Sequence, residues 1–378
     1  MLVSLSDVFA SNALVRWLRG EIKLVIEQAG PPRERLHFAG REAKVVALHP
    51  SLQGAQRFEH VAQRAEVIRR SGCHHDHIVK LRSFRTMVPS WAWYDTWNVG
   101  IATLDRPLAN VRELAPLKHV RWLPPRPPLF LLADPFPYRH QGRDWLLVEE
   151  YGHPRGVHGR ISRVDPDDAA AAAAPQPAIV RDRHISYPCT FSDGPDVYCA
   201  PEMSQEDGCV LYRLGDDGQW IPRHHVLRGA RIVDPTIFRF GDRWWLFGAD
   251  PPPRHTSTLR AYFADALAGP WTAHPLNPLK RDVASSRPAG RPFVIGDRLY
   301  RPAQDCHDVY GGAVQVMEVL TLTPADFRET VALRLEADPT WPYPDGLHHL
   351  VVDGTRVYFD AKRRRTDFLL PFKKRRRR

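Results

Sequence analysis

The sequence predicts an all-β protein, a five-bladed β-propeller preceded by a smaller mixed, partly helical N-terminal segment. Three observations carry this. The chain holds 35 prolines among 378 residues, and interior proline removes a helix hydrogen bond and clashes with the preceding turn. From Trp97 onward, short runs rich in aromatic and β-branched residues recur between polar turns, the pattern of strands. Five of those runs follow a turn glycine at a repeating distance, which marks a repeat architecture.

Residues 1–90 form the N-terminal segment, to which no role is assigned. Phe9 to Gln28 and Gln56 to Arg70 mix apolar and charged residues at spacings compatible with amphipathic helices. The string Cys73-His74-His75-Asp76-His77 crowds metal-ligating residue types together. Adjacent ligands seldom converge on one ion, and no second Cys/His pair stands at zinc-site spacing, so it reads as a polar loop.

Residues 91–362 form the propeller. Its hairpins are Gly142 before Trp145-Leu146-Leu147-Val148, Gly194 before Val197-Tyr198-Cys199-Ala200 and Gly241 before Trp244-Trp245-Leu246-Phe247. Gly296 before Leu299-Tyr300 and Gly354 before Val357-Tyr358-Phe359 complete the set. Glycine supplies the positive φ of a tight hairpin. The glycines are 52, 47, 55 and 58 residues apart, a period that suits a four-stranded blade. The alanine-rich run Asp165 to Pro177 reads as an inserted surface loop between the first two hairpins.

The net charge of +10 is concentrated at one end. Residues 361–378 carry ten cations and one acid, which leaves +1 for the first 360 residues. The folded body therefore lacks the basic face of a nucleic-acid domain. Residues 363–378 are expected to be a solvated basic tail, with weak contact to an anionic membrane surface as the sharper reading. Five cysteines without a paired framework suit reduced thiols. Charged residues interrupt any signal-like apolar run in the first 30 positions, and no run is long enough to span a membrane, so a cytoplasmic protein is expected. Phosphate-loop, dinucleotide, serine-hydrolase and zincin motifs are all missing, which removes support for those chemistries.

In a propeller the innermost strands converge on a central channel, so equivalent repeat positions meet in space. Six to eight residues before each turn glycine stand Asp134, Tyr187, Asp234, Pro288 (after Arg287) and His348. Eight residues after each stand Glu150, Glu202, Ala249, Gln304 and Lys362. One pocket is thus expected to hold Asp134, Glu150, Glu202, Asp234, Arg287, Arg301, Gln304, Asp305 and His348. Carboxylates beside arginines and aromatics suit carbohydrate chemistry: acids serve as proton donor, base or nucleophile at a glycosidic carbon. Arginines grip an anionic substituent in bidentate fashion. The plainer alternative is that Asp-Pro is a turn device and the repeated acids cap blade ends.

Several strings together resemble a known family. They include Ala133-Asp134-Pro135-Phe136, His184-Ile185-Ser186-Tyr187-Pro188, Val233-Asp234-Pro235-Thr236, Arg287-Pro288-Ala289-Gly290, Arg301-Pro302-Ala303-Gln304-Asp305 and Gly346-Leu347-His348. Over residues 97 to 362 they resemble the N-terminal-side propeller of plant glucosamine inositolphosphorylceramide transferases and their bacterial relatives. That domain is similar in turn to five-bladed family-43 glycoside hydrolases, which implies carbohydrate-active ancestry. Those hydrolases present their acids in the order Asp, Asp, Glu, whereas the order here is Asp134, Glu202, Asp234. The transferase domain beside the plant propeller has no counterpart in these residues.

The leading expectation is an enzyme that cleaves or transfers a glycosyl unit of a glycan or glycolipid, with cations to hold an anionic part of the substrate. Asp134 is expected as nucleophile, base or hydroxyl ligand, Glu202 as general acid, and Asp234 as the acid that orients substrate or tunes Glu202. Glu150, Tyr187, Gln304 and Asp305 are expected to bind substrate, Arg287 and Arg301 to hold its anionic part, and His348 to line the channel. No cofactor is implied and no metal ligand is assigned, although converging carboxylates suit a hard cation. The alternative is a non-catalytic glycan-binding or glycolipid-binding propeller that accompanies a glycosyltransferase. Nucleic-acid binding through the tail ranks last.

Overall fold

The computed structural model describes residues 93–127, 130–152 and 158–366, together with four short strands in the first 90 residues. The chain divides into two compact units, Met1–Ser90 and Trp91–Arg378. In the first unit, β1 (Lys23–Gln28) pairs with β2 (Glu34–Ala39), and β3 (Glu66–Ile68) with β4 (Ile78–Lys80). Where described, the ends of both expected helical segments are therefore strands. The remainder of those segments and the Cys73–His77 string lie outside the described residues.

The second unit is a five-bladed propeller built only from antiparallel pairs. The chain enters with β5 (Trp93–Thr103) and β6 (Arg121–Trp122), which wait for partners from the far end. Blade 1 is β7 (Phe130–His140), β8 (Arg143–Gly152), β9 (Arg160–Val164) and β10 (Gln176–Ile179). Blade 2 is β11 (Ser186–Asp193), β12 (Asp196–Glu202), β13 (Cys209–Leu214) and β14 (Trp220–Val226). Blade 3 holds β15 (Val233–Phe240), β16 (Arg243–Ala249), β17 (Thr258–Ala264) and β18 (Thr272–Ala273), with β19 (Lys280–Arg281) also on β17. Blade 4 is β20 (Phe293–Ile295), β21 (Arg298–Asp305), β22 (Ala313–Leu322) and β23 (Phe327–Leu335). Blade 5 opens with β24 (Leu347–Asp353) and β25 (Arg356–Thr366) and is finished by β5 and β6. Finishing blade 5 with strands from both ends of this unit ties the ring together, and the radial repetition leaves only short sheet edges.

Each turn glycine lies between the first two strands of its blade, with φ between +58° and +76°. The strand that follows is buried on both faces because blades pack against each other on either side. Leu146, Leu147 and Val148 are all fully buried, as are Leu246 and Phe247, which explains runs of consecutive apolar residues where one-sided sheets would alternate. Burying a side chain of this size contributes roughly 1.5–3 kcal/mol. The cores lie between blades: Phe136, Tyr187, Phe191, Ile237 and Trp244 join in one cluster, and Val99, Leu132, Leu146, Val148 and Tyr358 in another.

Two boundaries differ from the sequence expectation. The alanine run lies between the first two hairpins but is more than an inserted loop: it connects the third and fourth strands of blade 1, and its end, Gln176–Pro177, already belongs to β10. Ala169–Ala172 forms one helical turn, α1, capped by Asp168 accepting from Ala170 and Ala171 N–H, and Ala172 is buried. At the other end β25 continues to Thr366, so Arg363, Arg364 and Arg365 pair with Thr96, Asp95 and Tyr94 instead of belonging to a loose tail. Residues 367–378 lie outside the described residues.

Candidate functional site

The first strand of blades 1, 2 and 3 carries the same irregularity. Register slips between Ala133 and Phe136, between Ser186 and Cys189, and between Val233 and Thr236. At each slip a non-glycine residue adopts left-handed backbone: Asp134 at φ +51°, Tyr187 at +44° and Asp234 at +51°. Each precedes a proline, Pro135, Pro188 or Pro235. Proline has no N–H to leave orphaned, so the ladder can break there, and the bulge re-aims the side chain. Left-handed backbone costs a non-glycine residue roughly 1–2 kcal/mol.

The backbone of each bulged acid is held by a carboxylate of the preceding blade. Glu202 Oε2, on β12, accepts from Asp234 N–H at 3.1 Å. Asp360 Oδ2, on β25, accepts from Asp134 N–H at 2.8 Å. Two acidic clusters result. In one, Arg287 donates to Asp234 through Nε at 2.6 Å and Nη2 at 3.3 Å, Gln304 Nε2 approaches Asp234 at 3.4 Å, and Ser204 donates to Glu202 at 2.8 Å. In the other, His348 Nδ1 lies 2.6 Å from Asp360, while His348 Nε2 and His349 Nδ1 approach Asp134 Oδ1 at 3.8 and 3.5 Å.

Burial dominates the titration of these groups. Asp134 is pushed up to about 7, against the pull of His348 and with the help of Asp360 and Asp234. Asp234 also reaches about 7, because burial and Glu202 outweigh Arg287. His349 is driven down to about 3 by burial and stays neutral. For His348 burial works against the charged ring, but the Asp360 carboxylate prevails and its pKa rises.

A pocket of about 500 Å³ opens beside the second cluster, with Trp97, Tyr151 and Tyr310 as aromatic walls and Glu149, His158, His184 and His348 as its polar groups. Glu149 is the carboxyl that faces this space. It lies 3.7 Å from His184 Nε2, and among the described residues no hydrogen bond fixes it. Burial, followed by repulsion from Asp134, Glu202, Asp234 and Asp360, raises it well above the ordinary carboxyl range. His184 Nδ1 accepts the Gly159 N–H at 3.1 Å, so its ring proton sits on Nε2, towards Glu149. The upper wall is the loop between β21 and β22. Lys362 donates to the Tyr310 carbonyl, and Trp97 contacts both the Lys362 ammonium at 5.1 Å and the His348 ring at 4.1 Å.

The expected residues separate into two groups. Asp134, Glu202, Asp234, Arg287, Gln304 and His348 come together at the channel. Glu150, Tyr187, Arg301 and Asp305 do not offer free groups to it. Glu150 points to the other face of β8, where Arg126, Arg160 and Ser162 bind its carboxylate at 2.7–3.0 Å. Arg301 is buried against Glu329 at 2.7 Å and two backbone carbonyls. Asp305 accepts from Arg334 at 3.0 Å and His307 N–H at 3.1 Å. The Tyr187 hydroxyl takes the Gly290 N–H and bonds Thr236, both at 2.8 Å, tying blade 2 to its neighbours.

The missed acid, Glu149, has a definite signal. In blades 2 to 5 glycine is the first residue of the two-residue turn, as in Asp193↔Asp196 around Gly194. In blade 1 the turn is Gln141-Gly142 between His140 and Arg143, so glycine comes second. Counted from the start of the second strand instead, Glu149 aligns with Glu202, Ala249, Gln304 and Lys362. Asp360 and His349 sit on those same two central strands. Trp97 enters through β5, whose pairing with Lys362 no local pattern announces.

Asp134, His348 and Asp360 are, among the described residues, a set whose donor atoms lie within 4.8 Å of one another. His348 Nδ1 and the Asp134 N–H both engage Asp360, while the Asp134 carboxylate stands 3.8 Å from His348 Nε2; no cation is assigned to the cluster.

Comparison with known proteins places this site in context. Glucosamine inositolphosphorylceramide transferase 1 of Arabidopsis thaliana is 29% identical over 218 residues, covering 56% of this chain and 28% of that protein. The protein of the same name from Oryza sativa subsp. japonica is 31% identical over 152 residues, 39% of this chain and 20% of that one. The matches thus span less than a third of these relatives. Among solved structures, a family 117 glycoside hydrolase of the marine bacterium Zobellia galactanivorans is 12% identical, with a TM-score of 0.44 over 71% of this chain and 90% of that one. A thermostable family-43 glycoside hydrolase is 13% identical, with a TM-score of 0.40 over 56% and 77%. The family model described as glucosamine inositolphosphorylceramide transferase 1, N-terminal, matches residues 126–341, and the chain belongs to that family.

Proposed function

We propose that the propeller is a carbohydrate-active enzyme that receives one glycosyl unit of a glycan or glycolipid and protonates its glycosidic oxygen from Glu149. The observation that carries this reading is the setting of Glu149: a carboxyl with a strongly raised pKa, free of hydrogen bonds among the described residues, facing an aromatic-walled pocket. Aromatic faces suit the apolar faces of sugar rings, and a carboxyl whose pKa burial and neighbouring acids raise is better placed to act as a proton donor. As the bond from the anomeric carbon to the leaving oxygen breaks, the Glu149 proton passes to that oxygen. A water or alcohol forms the new bond, and its proton passes to the Asp134 carboxylate.

This reading moves the acid role from Glu202 to Glu149. Glu202 keeps a supporting one, because both its oxygens already accept hydrogen bonds. It also changes the expected substrate. Arg287 and Arg301 are committed to Asp234 and Glu329, so the part of the substrate inside the pocket is a neutral ring, and any anionic group lies outside it.

The engaged Asp234–Arg287 pair favours a second reading, in which the same pocket binds a glycan without turning it over. Sugar release from a panel of glycans and glycolipids decides between them. Release by the wild type that disappears in Glu149→Gln and persists in Glu202→Gln supports the proposal. Release retained in Glu149→Gln refutes the acid assignment. Binding without release by the wild type establishes the recognition reading.

A further inference from the structure

His349 has no expected role, yet it is buried against Asp134. Its Nε2 lies 3.2 Å from the Pro135 carbonyl oxygen. A carbonyl only accepts, so Nε2 carries a proton. A second proton on Nδ1 would create a charged ring where the side chain has no exposure at all, at a high desolvation cost. Nδ1 therefore presents a lone pair, and it is buried with no hydrogen-bond partner among the described residues. What it faces is Asp134 Oδ1, at 3.5 Å. Two lone pairs in that position repel, whereas a proton between them makes a bond. We infer that His349 is a positioning residue that holds a proton on Asp134 Oδ1 through an O–H···Nδ1 hydrogen bond, and so sets the pH at which Asp134 becomes able to accept one.

The surroundings agree. The other groups around Asp134 are His348 and Asp360 of blade 5, Asp234 of blade 3, and Arg287; Glu149 of blade 1 feels the Asp134 charge. His348 favours the ionised acid, as does Arg287, while Asp360 and Asp234 oppose it. Among the described residues the Asp134 carboxylate accepts no hydrogen bond, and the contact with Asp360 is made by the Asp134 N–H. Its ionised form thus has charge support from His348 and Arg287 but no direct hydrogen bond among the described residues, whereas its neutral form has an acceptor ready. The His349 ring is fixed by edge contacts with Phe136 at 4.6 Å and Tyr187 at 5.5 Å between centroids, so it cannot turn to present its N–H instead.

The role of this proton in catalysis rests on the reading of Asp134 as the base; the hydrogen bond itself does not. The test is nuclear magnetic resonance on the full folded chain with ¹⁵N-labelled histidine and ¹³C-carboxyl-labelled aspartate, the Asp134 signal being identified by its loss in Asp134→Asn. In the wild type, His349 should remain the Nε2–H tautomer from roughly pH 5 to 9, with its Nδ1 signal moving as Asp134 titrates. An Nδ1–H tautomer or a charged ring overturns the inference without any variant having to fold. In His349→Asn the amide can donate to the ionised carboxylate as well as accept from the neutral one. The Asp134 titration should then fall by about one pH unit, and a titration that does not move also overturns the inference. If sugar release occurs, its acid limb should shift by the same amount. Absence of release in every variant with the titrations as stated leaves the hydrogen bond standing and refutes only the catalytic reading.

Discussion

Arg287 and Asp234, both expected to face substrate, hold each other: the guanidinium reaches the carboxylate through Nε at 2.6 Å and Nη2 at 3.3 Å, with both side chains nearly buried. Removing one partner of a buried pair leaves the other uncompensated, at a cost of about 3–5 kcal/mol. Arg287→Met should therefore lower stability in urea by about that amount at pH 8. Without the guanidinium the Asp234 pKa rises beyond its present value of about 7. At pH 5 the acid is protonated in both proteins, and the loss should be much smaller. Equal losses at the two pH values would mean that packing, and not charge, makes the contact.

Asp134 makes the opposite contribution. Its folded pKa of about 7 stands above the ordinary aspartate value of 3.8. Between those values the folded state binds more protons than the unfolded one, so this group's contribution falls as pH rises and is lost above 7. Converted, the shift costs the folded protein on the order of 4 kcal/mol at pH 8. Asp134→Asn removes the cost and can donate its amide to His349 Nδ1. The variant should be more stable than wild type at pH 8 and no more stable at pH 4, as measured by urea midpoints. It should also release no sugar.

The two carboxyls proposed to move protons must stand in opposite protonation states, and that requirement fixes the shape of the pH–rate profile. Asp134 must be ionised, so activity should climb through about pH 7. Glu149 must be protonated, and it titrates well above the ordinary carboxyl range. A bell-shaped dependence is expected. Glu149→Asp, which retains an acid of similar chemistry, should keep a bell of reduced height. A profile that rises through pH 5 and then stays flat would contradict both assignments.

Gly311 controls the wall above the pocket. At φ +60°, a Cβ there would stand 2.6 Å from Trp97 Cη2 and 2.9 Å from the His348 Cβ. Gly311→Ala should displace the Tyr310 loop and weaken glycan binding at least tenfold, about 1.4 kcal/mol. Gly194→Ala is the control: its φ is similarly positive, at +58°, but nothing lies within 4 Å of the new Cβ. That variant should lose only about 1 kcal/mol of stability, the backbone cost, with binding unchanged. Isothermal titration of a bound glycan and urea unfolding separate the two effects.

The repeat was legible because a hairpin is local. Glycine, a polar neighbour and an apolar run occupy about ten residues, and five copies make the ring. The channel positions were legible where the bulge carries its own punctuation, Asp134-Pro135 and Asp234-Pro235. Glu150 stood in for Glu149 because one turn places its glycine a residue later, and a strand reverses its facing with every residue. Arg301 and Glu329 show a different limit. Nothing in either neighbourhood reveals that a cation on β21 and an acid on β23 neutralise one another across the blade. Trp97 was unreadable for the same reason at longer range, since its partners come from the last blade.

That last blade has a consequence for how the protein is made. Asp95 and Arg364, bonded at 2.7 Å, are 269 positions apart in the chain. Four blades can form from contiguous residues as they emerge from the ribosome, but the fifth needs both β5 and β25. Trp97 therefore stays without Lys362 and His348 until synthesis has passed them, and long-range closure of this kind is slow. Within the propeller, the strand pair that enters first is the one completed last, and the pocket wall forms only after the other four blades have their strands.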